Sequence, residues 1–260
     1  MFQLPPFLSA QDFTLFALVL GRLAGMFSAL PLFGGERVPL QIRVVTIFTM
    51  TMVLFPVLKL KSINMPGDFI SLSLVVASEV LIGLTLGLIV KVVFGAVEFC
   101  GQIVGMQMGF SISSLFDPTL GQVPLMALFQ SLLAMLLFLS LGVHHDFIRA
   151  IVQSYSVLPI GGWHMSGSLI AFLVTTTSGI FVLGIKLAAP VMVALLATTV
   201  VLGIMARSFP QMNIFMISMP LNIGIGFIVL GMSLMIFMRT LQSSFGDMLI
   251  QFRVLLNILS

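Results

Sequence analysis

From residue 69 to residue 108 the chain carries three charged side chains, Glu79, Lys91 and Glu98, and no proline. Few folds are open to a stretch so long and so apolar. In hydrocarbon an unpaired backbone N–H or C=O costs several kcal/mol, so a spanning segment has to be helical. A continuous helix of this length would reach ~60 Å at ~1.5 Å per residue, about twice the thickness of a bilayer core. The segment therefore either breaks near 91–98 or projects well beyond the bilayer.

The remainder repeats the pattern. Hydropathy marks six main apolar segments, at 12–33, 38–60, 69–100, 124–143, 168–206 and 213–239. Only 7% of the 260 residues are charged, against about 25% in a soluble domain. The fold class this dictates is all-α, built of membrane-type helical hairpins in a single domain over 1–260. Pro31, Gly34, Gly35 and Pro39 supply the turn of the first hairpin, and Pro56 closes the second segment. The fifth segment is also overlong, and Pro190 is expected to kink or split it. In the tail, 240–260, Leu241, Phe245, Met248, Leu249, Phe252 and Leu256 recur at helical spacing. That face suits a membrane surface and a partner equally. No Lys or Arg precedes the first apolar run, which reads as a retained helix and not a cleaved signal. Basic residues are too evenly spread to fix an orientation.

One connection is in the wrong solvent. Residues 101–124 contain no Lys, Arg or Glu and a single Asp, Asp117. They carry Met106, Met108, Phe110, Ile112, Leu115 and Phe116 instead. Bare backbone there has to be buried in protein or line a cavity. Composition alone leaves three readings: a buried link, a re-entrant substrate loop or a seal.

Glycines recur at four-residue spacing. Gly101, Gly105 and Gly109 precede the connection, Gly83, Gly87 and Gly95 lie before them, and Gly21 and Gly25 form another pair. Small residues on one helix face let backbones approach closely, within the chain or against other subunits. Charges inside apolar segments are costly and mark function by default; here they are Arg22, Glu79, Lys91, Glu98 and Lys186. A proton relay usually strings more acidic and histidine residues along one path. Internal ion pairing, or contact with polar groups of other subunits, is the favoured reading.

Catalytic constellations are missing. There is no GxSxG, HExxH or Walker pattern. His144, His145 and Asp146 invite a metal, but adjacent helical residues diverge by about 100° and no further ligand cluster lies nearby. A helix end at an aqueous boundary is the better account of them. One cysteine, Cys100, excludes an internal disulfide, and the small net charge of +3 has no basic run for nucleic acid. The chain reads as non-enzymatic, with no cofactor.

At ARSFPQMNIF, 206–215, the pattern Arg-x-x-Pro-Gln-x-Asn-x-Phe places Arg207, Pro210, Gln211 and Asn213 between the last two apolar segments. Lys186 and Pro190 form Lys-x-x-x-Pro upstream, and MGFSISSLFDP occupies 108–118. In combination, and over essentially the whole chain, this resembles the FliR family, the R subunit of the flagellar type III protein export gate. The related virulence-secretion subunits share the architecture.

The resemblance implies a non-enzymatic gate subunit in the bacterial inner membrane at the flagellar basal body, with part raised above the bilayer on the periplasmic side. It implies P-type and Q-type subunits, the export-switch membrane subunit, unfolded flagellar substrates and membrane lipid as partners. Carried onto this chain, the pore plug falls at about 105–122, with Met106, Met108, Gly109, Phe110, Ile112, Leu115, Phe116 and Asp117. Subunit packing falls to Gly101, Gly105, Glu79, Lys91, Glu98, Lys186, Pro190, Arg207, Pro210, Gln211 and Asn213. The alternative is a secondary transporter of a small solute with 101–124 as its substrate loop. Such proteins often show internal repeats, and the two halves here show no convincing one.

Overall fold

The computed structural model describes residues 10–30, 38–58, 68–110, 124–162, 166–211 and 213–259. Among them are seven helices and no strand: α1 (Ala10–Ala29), α2 (Leu40–Val57), α3 (Phe69–Met108), α4 (Leu125–Ser140), α5 (Val143–Val157), α6 (Gly167–Ser208) and α7 (Ile214–Leu259). The all-α expectation holds. Five helices are long and apolar enough to cross a membrane, and six spans result if α4 and α5 count as one bent pair.

Several boundaries differ from the sequence reading. α3 is one unbroken helix of 40 residues, with no break at 91–98. Its interior glycines are held in the helix by neighbouring helices, which offset their poor intrinsic propensity. The uncharged connection therefore starts at Gly109, and 101–108 is helical. α6 runs through Pro190 without splitting, over 42 residues. Proline removes only one ladder bond, the one to the Lys186 carbonyl, and the packed helix survives that loss. The tail is not separate, because α7 continues from Ile214 to Leu259 over 46 residues. Its apolar face is turned to the chain's own core: Leu241, Phe245, Met248, Phe252 and Leu256 are all buried. Helical periodicity announces a covered face without saying what covers it.

The stretch after the fourth segment holds a helix that hydropathy passes over. Gly142, at φ 69°, ends α4, and α5 departs at 68° to it. A positive φ suits glycine at a helix C-terminus. The buried residues of α5, Val143, Phe147, Ala150, Ile151, Ser154 and Tyr155, recur at helical spacing. His144, His145 and Asp146 stand in its first turn, and Asp146 pairs with Arg149 at 3.2 Å on the surface.

The chain divides into two compact units. The first comprises 1–91, 143–177 and 247–260. α1 lies at its centre, with Leu18, Val19, Leu23 and Met26 fully buried. Phe16 meets Phe48 and Phe55 of α2 edge-on at 5.5 and 5.8 Å. Phe147 of α5 stands between Phe27 and Phe252, at 6.1 and 6.2 Å.

α1 and α3 run parallel in this unit, and glycine lets them touch. A Cβ at Gly25 would fall on the Val80 carbonyl, and one at Gly83 on the Arg22 carbonyl. At Gly87 it would stand 2.5 Å from Ala29 Cβ and 2.8 Å from the Met26 carbonyl. The backbones are in direct contact, as small residues at helix interfaces in lipid allow.

The second unit comprises 92–142 and 178–246. Phe94, Phe138 and Phe245 form an aromatic triangle with ring centroids 5.6, 5.6 and 5.9 Å apart. Gly101 of α3 abuts the Ala127 backbone of α4, with no room for a Cβ. Gly184 of α6 faces Phe99 and Ala96 of α3, and Phe181 meets Phe99 at 5.4 Å.

Candidate functional site

Charge inside an apolar helix demands a partner, and the first unit supplies one. Arg22 of α1 and Glu79 of α3 are both fully buried, with Nε donating to Oε2 at 2.6 Å. The remaining guanidinium donors turn to α5. Nη1 donates to Ser154 Oγ at 3.1 Å, and Nη1 and Nη2 donate to the Leu158 carbonyl at 3.3 and 3.2 Å. That carbonyl follows the last turn of α5, where helix carbonyls lack internal donors and a cation is favoured. Tyr155 lays its ring beneath the guanidinium at 4.1 Å, and its hydroxyl donates to the Val19 carbonyl at 3.4 Å.

The second carboxylate oxygen is also used. Glu79 Oε1 accepts the N–H of Gly161 at 3.1 Å, and Gly161 has φ 79°. A side chain at that φ would be strained. The cluster thus ties α1, α3, the end of α5 and the chain after it into one hydrogen-bonded node. Arg22, Glu79 and Ser154 are fully buried and Gly161 reaches the surface, so the node joins the interior of the first unit to the exposed chain after α5.

The other intramembrane charges behave differently. Lys91, Glu98 and Lys186 are exposed, and none forms an ion pair among the described residues. Of the five charges read from the sequence, two meet inside the chain and three point outward. Sequence reasoning missed Ser154, Tyr155, Leu158 and Gly161. A signal existed at Ser154, a polar residue on the buried face of α5.

At the end of α3, Met106 is 60% exposed and Met108 is fully buried. Gly109, at φ 90°, ends the helix, its N–H donating to the Met106 carbonyl at 3.1 Å. Phe110 packs edge-on against Phe227 of α7 at 6.3 Å. Ile112, Leu115, Phe116 and Asp117 lie outside the described residues. A Cβ at Gly105 would meet Met126 at an ordinary 3.5 Å. Pro190 is half-buried within α6. Arg207 in the last turn of α6 and Pro210, Gln211 and Asn213 between α6 and α7 are all exposed, and the Asn213 carbonyl accepts the Met216 N–H at 3.1 Å.

Long apolar helices, a buried ionic node and outward charges with no ion pair among the described residues define a polytopic helical membrane protein. Large parts of its lateral surface are left for lipid or other chains: only 22%, 28% and 17% of the apolar windows of α2, α6 and α7 are buried. The chain belongs to the family described as Bacterial export proteins, family 1, whose profile matches residues 13–248. It is 32% identical over 223 residues to the flagellar biosynthetic protein FliR of Bacillus subtilis (strain 168), covering 84% of this chain and 85% of that one. To the FliR of Escherichia coli (strain K12) it is 33% identical over 208 residues, covering 79% and 78%. To that of Aquifex aeolicus (strain VF5) it is 27% identical over 226 residues, covering 87% of each.

Proposed function

We propose that this chain is a non-enzymatic subunit of the flagellar type III export gate, helping to form and plug the channel through which unfolded flagellar proteins cross the bacterial inner membrane. The observation that carries the reading is the family match across residues 13–248. The chain acts as one gate domain over 1–260. Its neighbours are P-type and Q-type gate subunits and the export-switch membrane subunit, with unfolded flagellar proteins as cargo. It resides at the flagellar basal body, partly raised on the periplasmic side. Helices of 40, 42 and 46 residues support that placement, since each is about twice the length a bilayer core requires.

Lys91, Glu98 and Lys186 support membership of a larger assembly. An exposed charge amid apolar side chains is costly against lipid and inexpensive against a neighbouring polar group. Glu79 has a different task, because its carboxylate is spent on Arg22 and Gly161. It stabilises assembly only by keeping the first unit in shape.

The plug is assigned to about 105–122. Apolar side chains such as Phe110, Ile112, Leu115 and Phe116 close an aqueous pore by excluding water from it. The sequence places glycines at 105, 109 and 121; Gly105 is helical within α3, and Gly109 takes φ 90° just past its end, a conformation that favours glycine. Arg207, in the last turn of α6, and the exposed residues Pro210, Gln211 and Asn213 after it tie the end of the α6–α7 pair to neighbouring subunits.

The test is removal of the chain from its source bacterium. Export of flagellar filament and hook proteins should cease and return when the chain is restored. Normal flagella in its absence would contradict the reading.

A further inference from the structure

Two residues flank the turn at which α3 gives way to the uncharged connection, and α7 grips both. Met108 is fully buried. Its side chain lies flat across Gly226: a Cβ there would stand 2.7, 2.9 and 2.8 Å from Cγ, Sδ and Cε. Three consecutive atoms of one side chain occupy a notch that exists because position 226 has no side chain. On the other side of Gly109, Phe110 meets the edge of Phe227 at 6.3 Å and an interplanar angle of 80°. Gly109 itself, at φ 90°, adopts a conformation that favours glycine.

The neighbouring glycines of α7 make Gly226 stand out. A Cβ at Gly224, Gly231 or Gly246 would meet nothing within 4 Å. Glycine is a poor helix former wherever it occurs in a helix interior, and at 226 alone among these it also makes room for another helix. The contacts are a flexible thioether in a groove and one aromatic edge. Both contacts are apolar, and a flexible thioether adapts readily to the groove it fills.

We propose that Gly226 and Phe227 are positioning residues: they form a seat on α7 that fixes Met108, Gly109 and Phe110, and thereby set where the connection leaves α3. The functional consequence rests on the plug reading above. A seat that fixes the root of a plug sets how well the resting pore is closed.

The test uses the full chain in its membrane complex, reading resting ion conductance and the amount of assembled complex together. Gly226→Val crowds the notch and should raise resting conductance several-fold with assembly retained. Adding Met108→Ala to it restores room and should bring conductance back toward the parent level. A packing role without positioning predicts instead that both variants lose assembled complex and leave conductance per complex unchanged; that result overturns the proposal.

Deletion of 110–116 separates the two readings. If the deletion leaks while assembled Gly226→Val does not, the seat is wrong and the plug stands. If neither leaks, the plug reading falls and the positioning role falls with it. A geometric readout needs no functional pore. With Cys100→Ala as background, Met108→Cys and Gly226→Cys should form a disulfide on mild oxidation, and absence of that cross-link overturns the seat.

Discussion

The Arg22 guanidinium donates to the Glu79 carboxylate at 2.6 Å with neither side chain exposed. Removing either partner leaves a buried charge uncompensated, which typically costs about 3–5 kcal/mol. Glu79→Ala and Arg22→Ala should therefore each strongly destabilise the purified chain in detergent. Replacing both by apolar residues of similar volume, Arg22→Met with Glu79→Leu, should recover most of the loss. Thermal unfolding of the four proteins checks this, and additive single-variant losses would count against a buried ionic node.

The glycines sort by what their missing side chain would meet. Gly83 has the Arg22 carbonyl in that place, and a Cβ at Gly203 or Gly231 meets nothing within 4 Å. Gly83→Val should destabilise by about 1–3 kcal/mol or more through overpacking. Gly203→Ala and Gly231→Ala should be neutral, or stabilising by up to about 1 kcal/mol through helix propensity. Unfolding midpoints measured side by side decide it.

How far this was legible in the sequence depends on the interaction concerned. Helix existence followed from hydropathy, because an apolar chain in lipid has almost no other way to pair its backbone. Helix continuity at Pro190 and at 91–98 was not legible, since neighbouring helices decide whether a weak point breaks. The Arg22 and Glu79 charges were visible as anomalies, but their pairing lies 57 positions apart in the chain. Gly161 could not be foreseen at all, because its role is a backbone N–H. The tail's apolar stripe announced a covered face, and only the fold supplied its cover. Of the uncharged connection, the sequence shows composition, and the structure adds the helix end at Gly109 and the contacts of Met108 and Phe110 with α7.

Lys186→Ala should change the stability of the isolated chain by no more than about 0.5 kcal/mol, as an exposed side chain with no ion pair among the described residues. The same substitution should lower the yield of assembled complex. Glu98→Ala should behave alike. Unfolding of the isolated chain and native-gel yield of the complex measure the two effects separately. Loss of stability without loss of assembly would reverse the assignment.

Deleting 110–116 should leave assembly largely intact and raise leakage of ions or small solutes. Conductance of membranes holding equal amounts of assembled complex is the check. Parental conductance in the assembled deletion variant would remove the plug assignment.

Asn213→Ala probes the exposed turn between α6 and α7. It should reduce complex formation, read as the fraction of chain co-purifying with other subunits. Normal assembly with blocked export would move the turn from subunit packing to contact with cargo.

The most direct test of the central claim is gentle extraction of the tagged chain from its native membrane, followed by mass measurement and identification of what accompanies it. The account predicts a stable heteromer containing two other kinds of small membrane protein. A lone monomer that transports a small solute would contradict it.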